Sequence, residues 1–174
     1  GIQIDASKVI SSLTEVRDYL DNESIVNAFF WGSAASKSFL GDRVTDDISR
    51  ANLIVLGYND SFDYGDLVKL VTAVSRGSPY VVANIDPLYP SSDTILPDTG
   101  SIAAMVLGTT GKHPTRTFGK PHMELPMQNA RDTYLMVGDK ESTDGKLAEV
   151  NGIEFFHITD LTNMKTLLAL MSAV

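Results

Sequence analysis

Asn52-Leu53-Ile54-Val55-Leu56-Gly57 decides the reading of this chain: four uninterrupted apolar residues bounded by Asn and Gly. A run this short, with no polar face, fits a strand covered on both sides, as in a parallel sheet. The pattern then changes period. Between Asp63 and Arg76, Leu67, Leu70, Val71 and Val74 fall on one helical face, and Gly77 follows as a stop. Pro79-Tyr80-Val81-Val82-Ala83 resumes the apolar run. Strand, helix and strand in that order predict a βαβ unit, and so a parallel sheet.

The same alternation extends in both directions. Upstream, Leu13, Val16 and Leu20 recur at helical spacing over Ser12–Leu20, with Ser12 as the expected N-cap and Glu15 three residues on. Ala28–Trp31 reads as a buried strand closed by Gly32, followed by a short helix over Ala34–Leu40. Downstream, residues 84–100 are rich in Pro, Ser, Asp and Gly and read as a long loop, a type usually tied to function in compact proteins. A helix is expected over Ser101–Leu107, a polar link over Thr109–Thr117 with a short strand at Thr115–Phe118, and a strand at Tyr134–Val137. Helices at Thr143–Val150 and Leu161–Ala173 flank a last strand, Glu154–Ile158. The fold class is α/β.

Composition narrows the function. The 174 residues are 43% hydrophobic and 21% charged, ordinary for a globular chain. A net charge of −8 repels phosphate backbones and anionic lipid, so neither nucleic acid nor a membrane surface is an expected partner. The lack of Cys excludes disulfides, thiolate metal sites and cysteine nucleophiles. The apolar stretches fall short of the ~20 residues that span a bilayer. No basic, apolar, then small-residue leader opens the chain, so the expected location is cytoplasmic.

In open α/β sheets chemistry gathers at the carboxyl ends of strands, and two such ends carry suitable residues. Asp139 follows Leu135–Val137 and Gly138, with Glu141 and Asp144 close behind. Carboxylates at one strand-to-helix turn are the hard oxygen donors that Mg²⁺ takes; read blandly, they are a loop acid and a helix-start acid. Lys120, fixed between Gly119 and Pro121, is a positioned cation suited to a transferring phosphoryl group, although a lone Lys is more often a surface residue. The long loop offers Asn84, Asp86, Tyr89 and Ser91, as ligand contacts or as turn formers. Gly108-Thr-Thr-Gly111-Lys112 lacks the phosphate-loop spacing, and His113, His122 and His157 show no metal-ligand pairing. Trp31 reads as core.

Four segments in order carry a resemblance: Val82-Ala-Asn84-Ile-Asp86 with Tyr89-Pro90; Leu96-Pro97-x-x-Gly100-Ser101-Ile102; Gly119-Lys120-Pro121; and Met136-Val-Gly138-Asp139-x-x-x-Thr143-Asp144. The chain resembles the haloacid dehalogenase-like (HAD) phosphatases of subfamily IIA, with a large C2-type α/β cap, the group that includes p-nitrophenyl, phosphoglycolate and nucleotide phosphatases. The resemblance implies a cap over residues 1–114 with its substrate loop at 84–100, and the C-terminal part of a Rossmann-like catalytic core over 115–174. It implies Lys120 as the catalytic lysine that stabilises the phosphoryl group, and Asp139 and Asp144 as the Mg²⁺ site. Asn84, Asp86 and Tyr89 become substrate contacts, with a small phosphorylated metabolite as partner and a homodimer through the cap.

The chain departs from that pattern in places. The family opens on a D-x-D strand carrying the nucleophile and then a Ser/Thr motif, and neither occurs in these residues. Asp98 follows Pro97 where the family has Gly, Gly145 replaces an apolar residue, and Pro126 interrupts a span, His122–Tyr134, that is shorter than usual. The expectation is a Mg²⁺-dependent phosphate monoester hydrolase, present here as a fragment or truncated form that is inactive by itself. The alternative is a non-catalytic α/β module that binds a phosphorylated small molecule or a protein partner.

Overall fold

The run at 53–56 forms β3 (Leu53–Leu56), with every residue buried. In the computed structural model, which describes all residues except 1, 2, 4, 6, 7, 92, 128–133 and 172–174, the chain divides into two compact units, Gly1–Gly119 and Lys120–Val174. The opening Gly1–Ile4, much of the His122–Tyr134 span and the end of the last expected helix lie wholly or partly outside the described residues.

In the first unit β3 pairs with β1 (Ala28–Trp31) on one side and β4 (Tyr80–Val82) on the other. The outer strands are β2 (Val44–Thr45) beside β1 and β7 (Arg116–Thr117) beside β4, and all four pairings are parallel. The sheet order is β2-β1-β3-β4-β7. Alternate residues of β3 feed different cores. Leu53 and Val55 pack with Val16 and Leu20 of α1 (Ser12–Asn22) and Leu40 of α2 (Ala34–Leu40). Ile54 and Leu56 pack with Leu70 and Val74 of α3 (Tyr64–Ser75) and Val106 of α4 (Thr99–Thr110). Burial on both faces is why the strand reads as continuously apolar.

Four expectations for this unit are corrected. Ser11, not Ser12, caps α1 and forms a reciprocal capping box with Thr14, because the Thr14 hydroxyl reaches back to the Ser11 N–H. The stretch 84–100 is not a plain loop: β5 (Leu88–Pro90) and β6 (Ile95–Pro97) pair as an antiparallel hairpin. Its prolines concealed it, since they are tolerated at the ends of an isolated two-stranded ribbon. Helix α4 starts at Thr99 and runs on through Thr110, because Asp98 caps it and Gly111 closes it in the left-handed conformation (φ 65°). Finally, the boundary expected after residue 114 lies after Gly119, because β7 hydrogen-bonds to β4 and belongs to the first unit's sheet.

In the second unit β8 (Leu135–Gly138) and β9 (Glu154–His157) pair in parallel. The expected helix from Thr143 begins as a wide π-helical turn, Glu141–Gly145, before α5 (Lys146–Asn151). Helix α6 (Leu161–Met171) follows β9. Asn151 fastens the segment after Pro121: its amide donates to the carbonyls of Met123 and Leu147, and its Oδ1 accepts from Leu125 N–H. No helix among the described residues is long and apolar enough to cross a membrane.

Candidate active site

The second unit brings Lys120 and Asp144 together. Lys120 Nζ donates to Asp144 Oδ1 at 2.6 Å, and the Lys140 backbone N–H donates to Asp144 Oδ2 at 3.2 Å. Asp144 is 2% exposed, whereas 44% of the Lys120 side chain remains accessible. A buried carboxylate needs hydrogen-bond partners, and here it holds the ammonium group in place. The π-helical turn makes this possible. Asp144 N–H donates to the Lys140 carbonyl at 2.7 Å, curling the chain so that the carboxylate comes to lie against the end of β8.

Gly138 is the residue that permits this approach. A Cβ added there would stand 2.3 Å from Asp144 Oδ2 and 2.5 Å from its Cβ and Cγ, well inside contact distance. In the sequence Gly138 reads only as a strand terminator; its closeness to Asp144 was not legible, since a turn's width is not written in local composition.

Asp139 lies just past β8 and is exposed, and its carboxylate has no partner among the described residues. Its backbone carbonyl contacts His157 Nε2 at 3.1 Å. Glu141 is exposed in the π-helical turn, and no group of three or more His, Asp or Glu gathers for a metal among the described residues. The donors present still suit Mg²⁺, which takes one or two carboxylates and keeps several waters. Asp139 supplies a free hard oxygen, while both oxygens of Asp144 are already engaged.

The substrate-contact candidates lie in the first unit. Asn84 follows β4 and donates through Nδ2 to Asp98 Oδ2 at 3.5 Å, while its Oδ1 is buried without a partner among the described residues. Asp98, noted in the sequence only as a departure from the family, is 7% exposed and also accepts from Thr99 N–H at 2.6 Å. Asp86 accepts from Gly100 N–H through its backbone carbonyl at 2.9 Å. A Cβ on Gly100 would meet Ile85 O at 2.2 Å, so glycine lets this loop close on α4. Tyr89, 52% exposed, packs against Tyr58 with centroids 5.9 Å apart. Desolvation, and then Asp60, Tyr89 and Asp98, push the Tyr58 hydroxyl above its ordinary pKa. Another contact escaped sequence reasoning: Glu15 Oε2 accepts from Gly119 N–H at 2.8 Å, across 104 residues.

No protein-family profile matches the chain. It is similar to D-glycerol 3-phosphate phosphatase of Mycobacterium tuberculosis (33% identity over 108 residues, 60% of this chain and 30% of the relative). It is also similar to dihydroxyacetone phosphatase of Corynebacterium glutamicum (27% over 157 residues, 84% and 56%). Among solved structures, p-nitrophenyl phosphatase from Archaeoglobus fulgidus superposes with a TM-score of 0.80 at 22% identity, covering 95% of this chain and 69% of that one. Glycerol phosphate phosphatase from M. tuberculosis, in complex with magnesium, gives 0.76 at 26%, covering 90% and 51%. Fold and ordered motifs together make the chain similar to the haloacid dehalogenase-like phosphatases of the large-cap subfamily. The two curated relatives carry the names of small-metabolite phosphatases, and the chain spans only 30% and 56% of their lengths.

Proposed function

We propose that the protein is a Mg²⁺-dependent phosphate monoester hydrolase acting on a small phosphorylated metabolite, with residues 120–174 supplying part of its catalytic core and the first unit its cap. The observation that carries this reading is the Lys120–Asp144 pair at 2.6 Å, built on a buried carboxylate and a glycine that admits it. Lys120 presents a compact cation to phosphoryl oxygens, where a fixed charge stabilises negative charge as it develops. Asp144 is the positioning residue: it restrains the ammonium group and limits its rotamers. Asp139 would hold Mg²⁺, which when bound supplies charge neutralisation to the phosphate. The resemblance further assigns Asn84, Asp86 and Tyr89 of the first unit as substrate contacts.

These 174 residues contain no D-x-D sequence, so the polypeptide by itself is expected to show no turnover of p-nitrophenyl phosphate with Mg²⁺. The test uses the protein encoded by the whole reading frame. It should hydrolyse small phosphate monoesters, and Lys120→Ala should lower kcat by about 10²–10³-fold, the effect of removing one such stabilising group. Full activity in Lys120→Ala, or turnover by residues 1–174 that disappears in Asp139→Ala, would refute this reading.

A further inference from the structure

Lys120 is restrained at its ammonium end by Asp144. A second contact, wholly inside the first unit, acts on the backbone just before it. Strand β7 stands at the edge of its sheet and pairs only with β4. It ends at Thr117, and Phe118 N–H still donates to the Val82 carbonyl at 2.8 Å. Gly119, the next residue, is buried, and a side chain takes its N–H: Glu15 Oε2 of α1 accepts at 2.8 Å. A buried N–H left without an acceptor is costly, so this carboxylate decides where the Gly119 backbone can lie.

Packing holds Glu15 in that place. Tyr19 lies one helical turn further along the same face of α1 and packs on Phe118 with ring centroids 5.3 Å apart. Val16 and Leu20 share the core of Phe118. The Arg116 guanidinium lies over both rings, 5.3 Å from Tyr19 and 5.1 Å from Phe118. Gly119 itself occupies a close slot: its φ is 74°, and an added Cβ would stand 3.2 Å from both Ser12 Cβ and Ala83 O. Helix, strand end and glycine thus form one packed assembly that stops at the residue before Lys120.

We propose that Glu15 is a positioning residue for the phosphoryl chemistry: by holding Gly119 N–H it fixes the backbone from which Lys120 extends. The role rests on the phosphatase reading of Lys120. Asp144 restrains the tip of the lysine and Glu15 its root, and a shift of about 1 Å at a reacting group can cost about 100-fold in rate. An acid in the first turn of α1 also favours the helix by its charge alone, and substitution separates the two roles. Glu15→Gln keeps the reach and an acceptor oxygen but loses the charge. Glu15→Asp keeps the charge but withdraws the acceptor by one methylene.

The test uses the protein encoded by the whole reading frame, with p-nitrophenyl phosphate and Mg²⁺. Glu15→Asp should lower kcat about tenfold at unchanged KM, and Glu15→Gln should stay within about threefold of wild type. The Gly119 amide should exchange faster in Glu15→Asp than in Glu15→Gln, which reports the lost contact without turnover. Equal kcat in all three proteins, or a loss in Glu15→Gln beside a fully active Glu15→Asp, would overturn the proposal. Impaired Lys120→Ala beside fully active Glu15→Asp sinks this role alone. Full activity in Lys120→Ala removes the phosphatase reading and this role with it.

Discussion

Replacing Gly138 by Ala tests the central feature of the candidate site. The added Cβ meets Asp144 at its Oδ2, Cβ and Cγ, all within 2.5 Å, so rotating the carboxylate cannot relieve the clash. Asp144 must leave its pocket, and the contacts from Lys120 Nζ and Lys140 N–H go with it. Overpacking of this kind costs about 1–3 kcal/mol. The ion pair adds about 1 kcal/mol once the 44% exposure of the Lys120 side chain is allowed for, and the backbone contact adds about 1 kcal/mol. Alanine restricts the unfolded chain and returns about 0.5–1 kcal/mol. The sum is a destabilisation of about 2–4.5 kcal/mol. In hydrogen exchange this corresponds to amides of Leu135–Gly138 and Glu154–His157 exchanging about 30- to 1,600-fold faster. Leu53–Leu56, in the other unit, serves as the internal control and should not change. Less than a threefold acceleration, with Lys120 still paired to Asp144, would refute the claim that Gly138 is there to admit the carboxylate.

The same substitution should have the opposite sign at Gly108, inside α4, where an added Cβ meets nothing within 4 Å; Gly108→Ala should raise stability by about 0.5–1 kcal/mol in urea denaturation. In wild type, amides of Leu53–Leu56 and Tyr80–Val82, fully buried between two cores, should exchange more slowly than those of Leu135–Val137, and equal protection would contradict the burial pattern. Acid stability follows from Asp21, Asp47 and Asp66, whose carboxyls are held below their ordinary value of 3.8 by bonds to Arg43, Ser49 and Lys69 respectively. A depressed folded-state pKa gives stability that is complete above 3.8 and lost as pH falls through the lower folded values. The Trp31 fluorescence midpoint in urea should therefore decline below about pH 4, and Asp66→Asn should flatten part of that decline.

What the sequence by itself determined is the α/β order, the parallel sheet around Leu53–Leu56 and the ordered motifs that carry the resemblance. These depend on period and on short fixed spacings, which adjacent residues set. The hairpin at 88–97 was hidden because its pairing is made across the turn, between residues whose prolines and exposed side chains leave no alternating pattern. The β7 strand was assigned to the wrong unit because nothing local says which sheet edge two residues will join. At the site, Lys120 and Asp144 were legible as candidates, but not that they meet. Only the tertiary structure places a carboxylate from a π-helical turn over Gly138, gives Glu15 the N–H of Gly119, and leaves the indole of Trp31 without an acceptor among the described residues. Each of these is a contact between residues distant in sequence or a matter of packing depth. Such contacts are fixed by how buried surfaces close on one another, and no local pattern encodes that.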